Sequence, residues 1–468
     1  MRRPYPARPC AAAASLKRHL VNTAPVVLSI PFRDPAAAFA PLTQDDMAVL
    51  LDSALPGPQG KFSYIAVDPV RTIRCTPAPW RVTVDGQARD GDPFSVVAAE
   101  LAKFPRTKTG PAPFSGGAVG FFSYELGGVL EKLPAPKTTP WPMDMVVGIY
   151  DTVVAFDMAQ HQARVIAPTA TRAEALAQRL GTARPVDGSP IKATWRAETA
   201  RTVYESTVAR ALEAIHAGDI YQANITQRFL AEISENTASY DLYLRLRAAT
   251  PAPFAAFMNA GEGLHILSAS PERFLKADAA GGVETRPIKG TRPRGHSEAE
   301  DRALAAELLA SAKDRAENLM IVDLLRNDLA RVCVPGSVNV PELCGLETFP
   351  AVHHLVSVVT GQLRPTATAV DLLRAAFPGG SVTGAPKIKA MEVIHDLEAG
   401  ARGPYCGAVA WLGFDGAMDS SIVIRTLVRQ GRRLVAQAGG GIVAESNPAR
   451  EYEESVTKVK PLLSVLDS

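Results

Sequence analysis

The sequence predicts a mixed α/β fold, of the α+β kind, and three observations carry that prediction. Residues 34 to 165 read mostly as short apolar runs closed by turn signals, the mark of strands. After about residue 197 helical periodicity appears between further strands. Across its 468 residues the chain is 47% hydrophobic and 21% charged, an ordinary globular mixture long enough for two domains or one large one. The expected division is a basic, disordered leader at 1–33, an N-terminal region at 34–180, a linker at 181–196 and a catalytic region at 197–464.

The elements follow in order. The first 33 residues hold no acid and carry Arg2, Arg3, Arg8, Lys17, Arg18 and Arg33, a bias found in transit peptides. The Ala11–Ala14 stretch is too short for a secretory signal, so a leader on a cytoplasmic protein is expected. Phe62 to Pro69 is a strand closed by a turn. Phe114 to Tyr124 is a Gly-rich strand in which backbones pack closely. Val146 to Phe156 reads as one strand, and the Pro/Gly/Thr-containing stretch 181–196 as a linker. Thr202 to His216 is a helix with Val208, Leu212 and Ile215 on one face and Gly218 as its stop.

The strand Ile220 to Leu230 puts Gln222, Asn224, Thr226 and Arg228 on one face, either a solvated row or the floor of a polar pocket. The run Lys313 to Asp328 has an apolar middle and reads as a largely buried helix, so Glu317 at its start needs a partner. Gly379 to Lys387 fails as a P-loop, because Ala385-Pro386 follows Gly384 where Lys-Ser/Thr is required. Pro386 opens a helix with Ile388, Met391, Ile394 and Leu397 on one side; the free N–H groups there suit a carboxylate. Gly439-Gly440-Gly441 after a strand lets backbone approach a ligand, or forms a plain turn. In the last helix Asn447 is the N-cap and Pro448 the first residue. Glu451, Glu454 and Lys458 share one face, as surface ion-pair partners or as holders of a hard cation, while Tyr452, Val456, Val459 and Leu463 face the core.

A net charge of +2 gives no reason to expect nucleic acid or a membrane surface, and no apolar run reaches the ~20 residues of a membrane span. The five cysteines are scattered without a C-x-x-C pair, which fits a reducing compartment and suggests neither disulfides nor zinc. The segment Glu284 to Arg294 is the most telling. Lys289 lies between Ile288 and Gly290, with Arg286, Arg292 and Arg294 close by. Burial and neighbouring cations both lower a lysine pKa, and a lysine freed of its proton is a nucleophile. The plainer reading is a basic loop that binds an anion.

Taken together these pieces resemble the chorismate-utilising enzymes, whose members make anthranilate, aminodeoxychorismate, isochorismate or salicylate. The resemblance runs from about residue 42 to 462. It rests on Leu50-Leu-Asp-Ser53, Gly116-Gly-Ala-Val-Gly120, Asp219 to Asn224, Ser268 to Phe274 and Pro287-Ile-Lys-Gly-Thr291. It continues through Glu317 to Asp328, Val352-His-His-Leu355, Gly384-Ala-Pro-Lys387, Ile424-Arg-Thr426, the glycine run and Glu451 to Lys458.

The resemblance implies a sandwich of two large, mainly antiparallel sheets with outer helices, the N-terminal region completing one sheet. Within the family, lysine at position 289 marks enzymes that place nitrogen at C4 of chorismate, while those that place it at C2 have alanine there. Members that activate water carry a lysine where this chain has Gln222, so ammonia is the implied nucleophile. The implied reaction is amino transfer to chorismate, giving 4-amino-4-deoxychorismate for para-aminobenzoate and folate synthesis. The alternative is anthranilate formation, for tryptophan. The stretches that sense tryptophan in anthranilate synthases are altered here, at Asp52 and at Thr250 to Phe254.

By the same resemblance Lys289 attacks C2, Glu272 protonates the C4 hydroxyl and His354 lies near. Glu317 and Glu454, backed by Glu451, hold one Mg²⁺. Arg425 and Tyr405 take the enolpyruvyl carboxylate. Gln222, Gly290, Thr291, Gly384, Gly439, Gly440, Gly441 and Lys458 complete the substrate cradle. A separate glutamine amidotransferase subunit supplies ammonia, because no cysteine sits in a G-x-C-x-G turn, and a lyase acts downstream. A non-catalytic chorismate-binding regulator would have lost an acid or metal residue, and none is missing.

Overall fold

The computed structural model describes residues 24–105, 110–182, 191–349 and 352–467. Two 12-stranded sheets form the body. The first runs from the edge strand Val26–Ile30 to the strands Arg433–Ile442 and Gln222–Glu232; the second runs from Ile288–Pro293 and Val352–Gln362 to Gln87–Arg89. Hydrophobic alternation drives the sheets face to face. Tyr64, Met258, Ile266 and Val428 of the first pack against Val119, Phe121, Val409 and Trp411 of the second. Fully burying each such side chain contributes roughly 1.5–3 kcal/mol. The helices Ser239–Ala249 and Pro448–Leu463 cover the outer face of the first sheet. Pro93–Leu101, Ala312–Ala330 and Ala369–Ala376 cover the second. The sandwich with outer helices is as the resemblance implied.

Several expectations need correction. The N-terminal region contributes to both sheets, not one. Val146 to Phe156 is two strands: Met145–Tyr150 belongs to the second sheet and Val153–Asp157 to the first. A corner at Asp151–Thr152 joins them, and unbroken burial on both sides hid it from periodicity. Inside the stretch read as a leader, Val26–Ile30 pairs antiparallel with Gln162–Ala167. It is an edge strand with only alternate residues half-buried, a weak signal beside so basic a neighbourhood. The rest of that stretch, 1–23, lies outside the described residues, as does 183–190 of the linker. The linker's described end is docked: Trp195 Nε1 donates to Leu463 O at 2.9 Å, and Arg196–Ala197 pairs with Phe229–Leu230.

The helices also shift their faces. Ala312–Ala330 buries one side, through Asn318, Ile321, Val322, Leu325 and Leu329, and leaves Leu319 exposed. Lys387–Leu397 buries Ala390, Met391 and Ile394 but exposes Ile388. The last helix has its expected Asn447 cap, yet buries Glu451, Ser455, Val459 and Leu462. Its small Ser455 accepts from Gln227 Nε2 at 2.6 Å, which lets the helix press close to the sheet. Among the described residues no helix is long and apolar enough to cross a membrane, and Cys75, Cys333, Cys344 and Cys406 are buried and free.

Candidate active site

The site lies where the chain crosses between the sheets. Leu264–Ser270 belongs to the first and Arg273–Ala277 to the second, so Glu272 sits in the crossover. Met418–Ile422 and Thr426–Gln430 are likewise in different sheets, and Arg425 sits between them. Backbone bonds fix both corners: Ile422 N donates to Glu272 O at 3.1 Å, and Ala269 N to Arg425 O at 3.0 Å. Arg425 adopts the left-handed region at φ 52°, a conformation strained for an arginine.

Lys289 sits on the edge strand Ile288–Pro293, opposite Leu355. A bulge follows at Gly290, whose φ is 78°; a Cβ there would meet Leu308 Cδ1 at 2.8 Å and Asp314 at 2.9 Å, so only glycine fits. Burial holds the Lys289 ammonium below the ordinary lysine range. Lys458 pushes the same way, while Glu317, Glu272 and Glu454 oppose it. The neighbouring arginines, expected to share in this effect, do not. Arg286 pairs with Glu347, Arg292 with Glu307 and Asp314, and Arg294 with Asp301, so their charges are spent elsewhere.

Glu272 is 8% exposed. Burial raises its carboxyl above the usual range, opposed by a hydrogen bond from Ser381 and by Lys289. His354 is opposite Thr291, whose hydroxyl lies 2.9 Å from its Nδ1. Burial lowers its pKa, which leaves a neutral imidazole at pH 7.

Arg425 donates Nη1 to Lys458 O at 2.6 Å, and among the described residues no carboxylate pairs with it. Tyr405, 7% exposed, is the group that favours its charge. A desolvated guanidinium beside a phenol and without an anion is ready for a ligand carboxylate. Gln222 is fully buried, with neither amide atom hydrogen-bonded, and Asn224 Oδ1 is also unpaired. Each such atom costs about 1–3 kcal/mol if left dry. Of the polar row on this strand, Gln222 and Asn224 thus carry buried unpaired atoms, while Thr226 pairs with Glu398 and Arg228 with Glu198. The Gln222 amide lies over Gly441, where a Cβ would come within 2.1 Å of Nε2. Gly384 packs equally close to Gln222 O, at 2.1 Å from its would-be Cβ.

The glycine run pairs with Asn224–Thr226 on one edge, and the strand on its other edge ends its pairing at Ala436. Gly440 faces the last helix: a Cβ there would lie 3.2 Å from Glu451 Oε2, 3.6 Å from Glu454 Oε1 and 3.7 Å from Lys458 Nζ. Lys458 Nζ bonds Gly439 O at 3.1 Å and Glu454 at 2.5 Å, while Glu451 accepts from Ser446 Oγ at 2.6 Å. Burial raises Glu317 and Glu451; it acts the same way on Glu454, but Lys458 prevails and holds that carboxyl low. Glu317 and Glu454 sense each other across two helices, and Lys313 faces all three acids. Among the described residues no three acids, histidines or cysteines form a ready metal cluster. The three glutamates come from two helices, with Lys458 and Lys313 beside them, and offer oxygen donors. That suits Mg²⁺, which keeps several of its waters.

The structure therefore brings the residues singled out in the sequence around one site. Sequence reasoning missed Ser381, Glu398 and Arg402. The Glu398–Arg402 pair carried a signal, the i, i+4 spacing of opposite charges; Ser381 carried none.

Known proteins resemble this chain over most of its length. The family described as chorismate binding enzyme matches residues 52–464. Aminodeoxychorismate synthase component 1 of Salmonella typhimurium is 42% identical over 462 residues, covering 95% of this chain and 99% of that protein. Anthranilate synthase component 1 of Thermus thermophilus is 38% identical, covering 92% and 95%. The crystal structure of anthranilate synthase component I from Streptococcus pneumoniae superposes with a TM-score of 0.77 at 34% identity, covering 87% of this chain and 93% of that one.

Proposed function

The chain belongs to the chorismate binding enzymes, and from that premise we propose that it transfers an amino group from ammonia to C4 of chorismate, giving 4-amino-4-deoxychorismate. The observation that carries this reading is Lys289, a desolvated lysine among Glu272, Glu317, Glu454 and Lys458. The greater identity to aminodeoxychorismate synthase component 1 supports it over the anthranilate alternative.

The residues take these roles. Arg425 and Tyr405 hold the enolpyruvyl carboxylate. The glycine run, Gly290, Thr291, Gly384 and Lys458 seat the rest of the substrate. Glu272 gives its proton to the C4 hydroxyl, which leaves as water. Lys289 Nζ, freed of its proton, forms a bond to C2 as the ring double bonds shift. Ammonia, held by Gln222, then bonds to C4, the electrons shift back, and the C2–Nζ bond breaks to release the lysine amine. Neutral His354, bonded to Thr291 beside the Gly290 bulge, adds no charge next to Arg425. Glu317 and Glu454, with Glu451 behind them, would hold Mg²⁺, whose charge when bound would draw in the ring carboxylate. A reducing, cytoplasmic setting suits the buried free cysteines.

Ammonia comes, in this reading, from a separate glutamine amidotransferase subunit, and a lyase consumes the product. Glutamine hydrolysis needs an activated cysteine paired with a histidine. The four described cysteines are buried, and burial raises Cys75 and Cys406 to about 12, far from a thiolate at pH 7. The purified chain is expected to use ammonium salts directly, and glutamine only after a glutaminase subunit is added. Robust glutamine-dependent turnover by the chain alone would overturn the two-component reading.

A further inference from the structure

The loop that carries Tyr405 is held on both sides. Beyond Tyr405, Cys406 N donates to Val423 O at 2.8 Å and Val423 N to Gly407 O at 2.9 Å, which ties the loop to the segment leading into Arg425. Before Tyr405 the chain turns at Gly403, where φ is 65° and a Cβ would come 2.0 Å from Trp141 Nε1. The turn leaves two successive backbone N–H groups, those of Arg402 and Gly403, in buried residues with no backbone carbonyl to take them. Glu125 takes both. Its Oε1 accepts from Arg402 N at 2.6 Å and its Oε2 from Gly403 N at 2.8 Å. The preceding residue closes the clasp, since Tyr124 N donates to Gly403 O at 2.9 Å. Glu125 lies in the short turn Tyr124–Leu126, directly after the strand Gly117–Phe122 of the second sheet, so a rigid element presents its carboxyl. The Arg402 side chain is anchored separately, on Glu398, Val382 O and Asn224 O. Those bonds fix the guanidinium and not the peptide planes.

We infer that Glu125 is a positioning residue for substrate binding: its two oxygens set the peptide planes at Arg402 and Gly403, and with them the direction in which Tyr405, two residues on, enters the site. The inference rests on the reading of Tyr405 as a ligand of the enolpyruvyl carboxylate. The bidentate grip is specific to a carboxyl group. Both of its oxygens can accept, charged or protonated, whereas the nitrogen of a glutamine amide only donates. Glutamine at 125 therefore sets a donor against a buried N–H, and the loop has to shift to relieve it.

The test varies chorismate at fixed ammonium and Mg²⁺ with the full chain, in Glu125→Gln, Tyr405→Phe and the double variant. Tyr405→Phe is expected to raise KM for chorismate at least about tenfold, the scale of a lost hydrogen bond to a charged group. Glu125→Gln is expected to raise KM about fivefold and to leave kcat within about twofold, the mark of lost uniform binding. In the Tyr405→Phe background Glu125→Gln is expected to change KM by less than about twofold, because the interaction it supports is already gone. Glu125→Asp keeps two acceptors on a shorter arm and is expected to raise KM in the same sense; it carries the comparison if the glutamine variant does not fold. A fall in kcat at unchanged KM, or a KM effect that persists in full in the Tyr405→Phe background, would show that Glu125 does not act through Tyr405. An unchanged KM in Tyr405→Phe alone would instead remove Tyr405 from the substrate site, and the inference with it.

Discussion

Lys289→Ala is expected to lower turnover of chorismate with ammonium by at least about 10²- to 10³-fold, the range for losing a group that acts directly in the chemistry. The fold should survive, because Lys289 lies on an edge strand and its ammonium makes no structural ion pair among the described residues. Wild-type enzyme incubated with chorismate and Mg²⁺, but without ammonia, should carry an adduct of chorismate less one water, visible by intact-mass spectrometry. The alanine variant should carry none. The pH dependence has a definite direction. Burial lowers the lysine pKa, so the free amine is present below the ordinary lysine range and adduct formation should already be effective near neutral pH. An adduct that forms only above pH 10 would mean that Lys289 is an ordinary lysine.

The second large effect concerns Glu317 and Glu454. Changing either to glutamine removes a charge from the group of acids that faces Lys289 and Lys313. Mg²⁺ affinity, measured by calorimetric titration, is expected to fall by more than about tenfold, with turnover lost at limiting Mg²⁺. Thermal stability of the metal-free protein should not fall in the Glu317→Gln variant. Burial and Glu454 both raise the Glu317 pKa, so its charged form is disfavoured by folding. That penalty is full above the folded-state pKa and disappears as pH falls below the unfolded one. The variant should therefore match or exceed wild type near pH 7 and converge with it in acid. Unchanged Mg²⁺ affinity in both variants would remove the glutamates from the metal role.

Much of this was legible in the sequence, for physical reasons. The last helix announced itself because Asn447 and Pro448 are local signals, satisfied within one turn. Gly290 was legible as part of a motif, and the structure supplies its cause, a positive φ in a bulge with no room for a Cβ. The crossover corners were not legible. Val146 to Tyr150 and Val153 to Phe156 are both buried without alternation because each packs in a sheet, so periodicity ran on through Asp151-Thr152 and the bend read as one strand. The source of the Lys289 shift was also hidden. Sequence proximity pointed to Arg286, Arg292 and Arg294, but each is paired with an acid. The opposing cation, Lys458, is remote as well and meets Lys289 only through the fold. The turn Gly380–Val382 belonged to a Gly-rich stretch rejected as a P-loop; its anchors, Asn224 and Arg402, come from segments that only tertiary structure joins.

The central claim is that nitrogen enters at C4. It is tested most directly by incubating the purified chain with chorismate, Mg²⁺ and isotopically labelled ammonium, then locating the label in the product by NMR. The account predicts label on C4, in 4-amino-4-deoxychorismate that becomes para-aminobenzoate only when a lyase is added. Label on C2, with the fluorescence of ortho-aminobenzoate appearing from this chain alone, would contradict it.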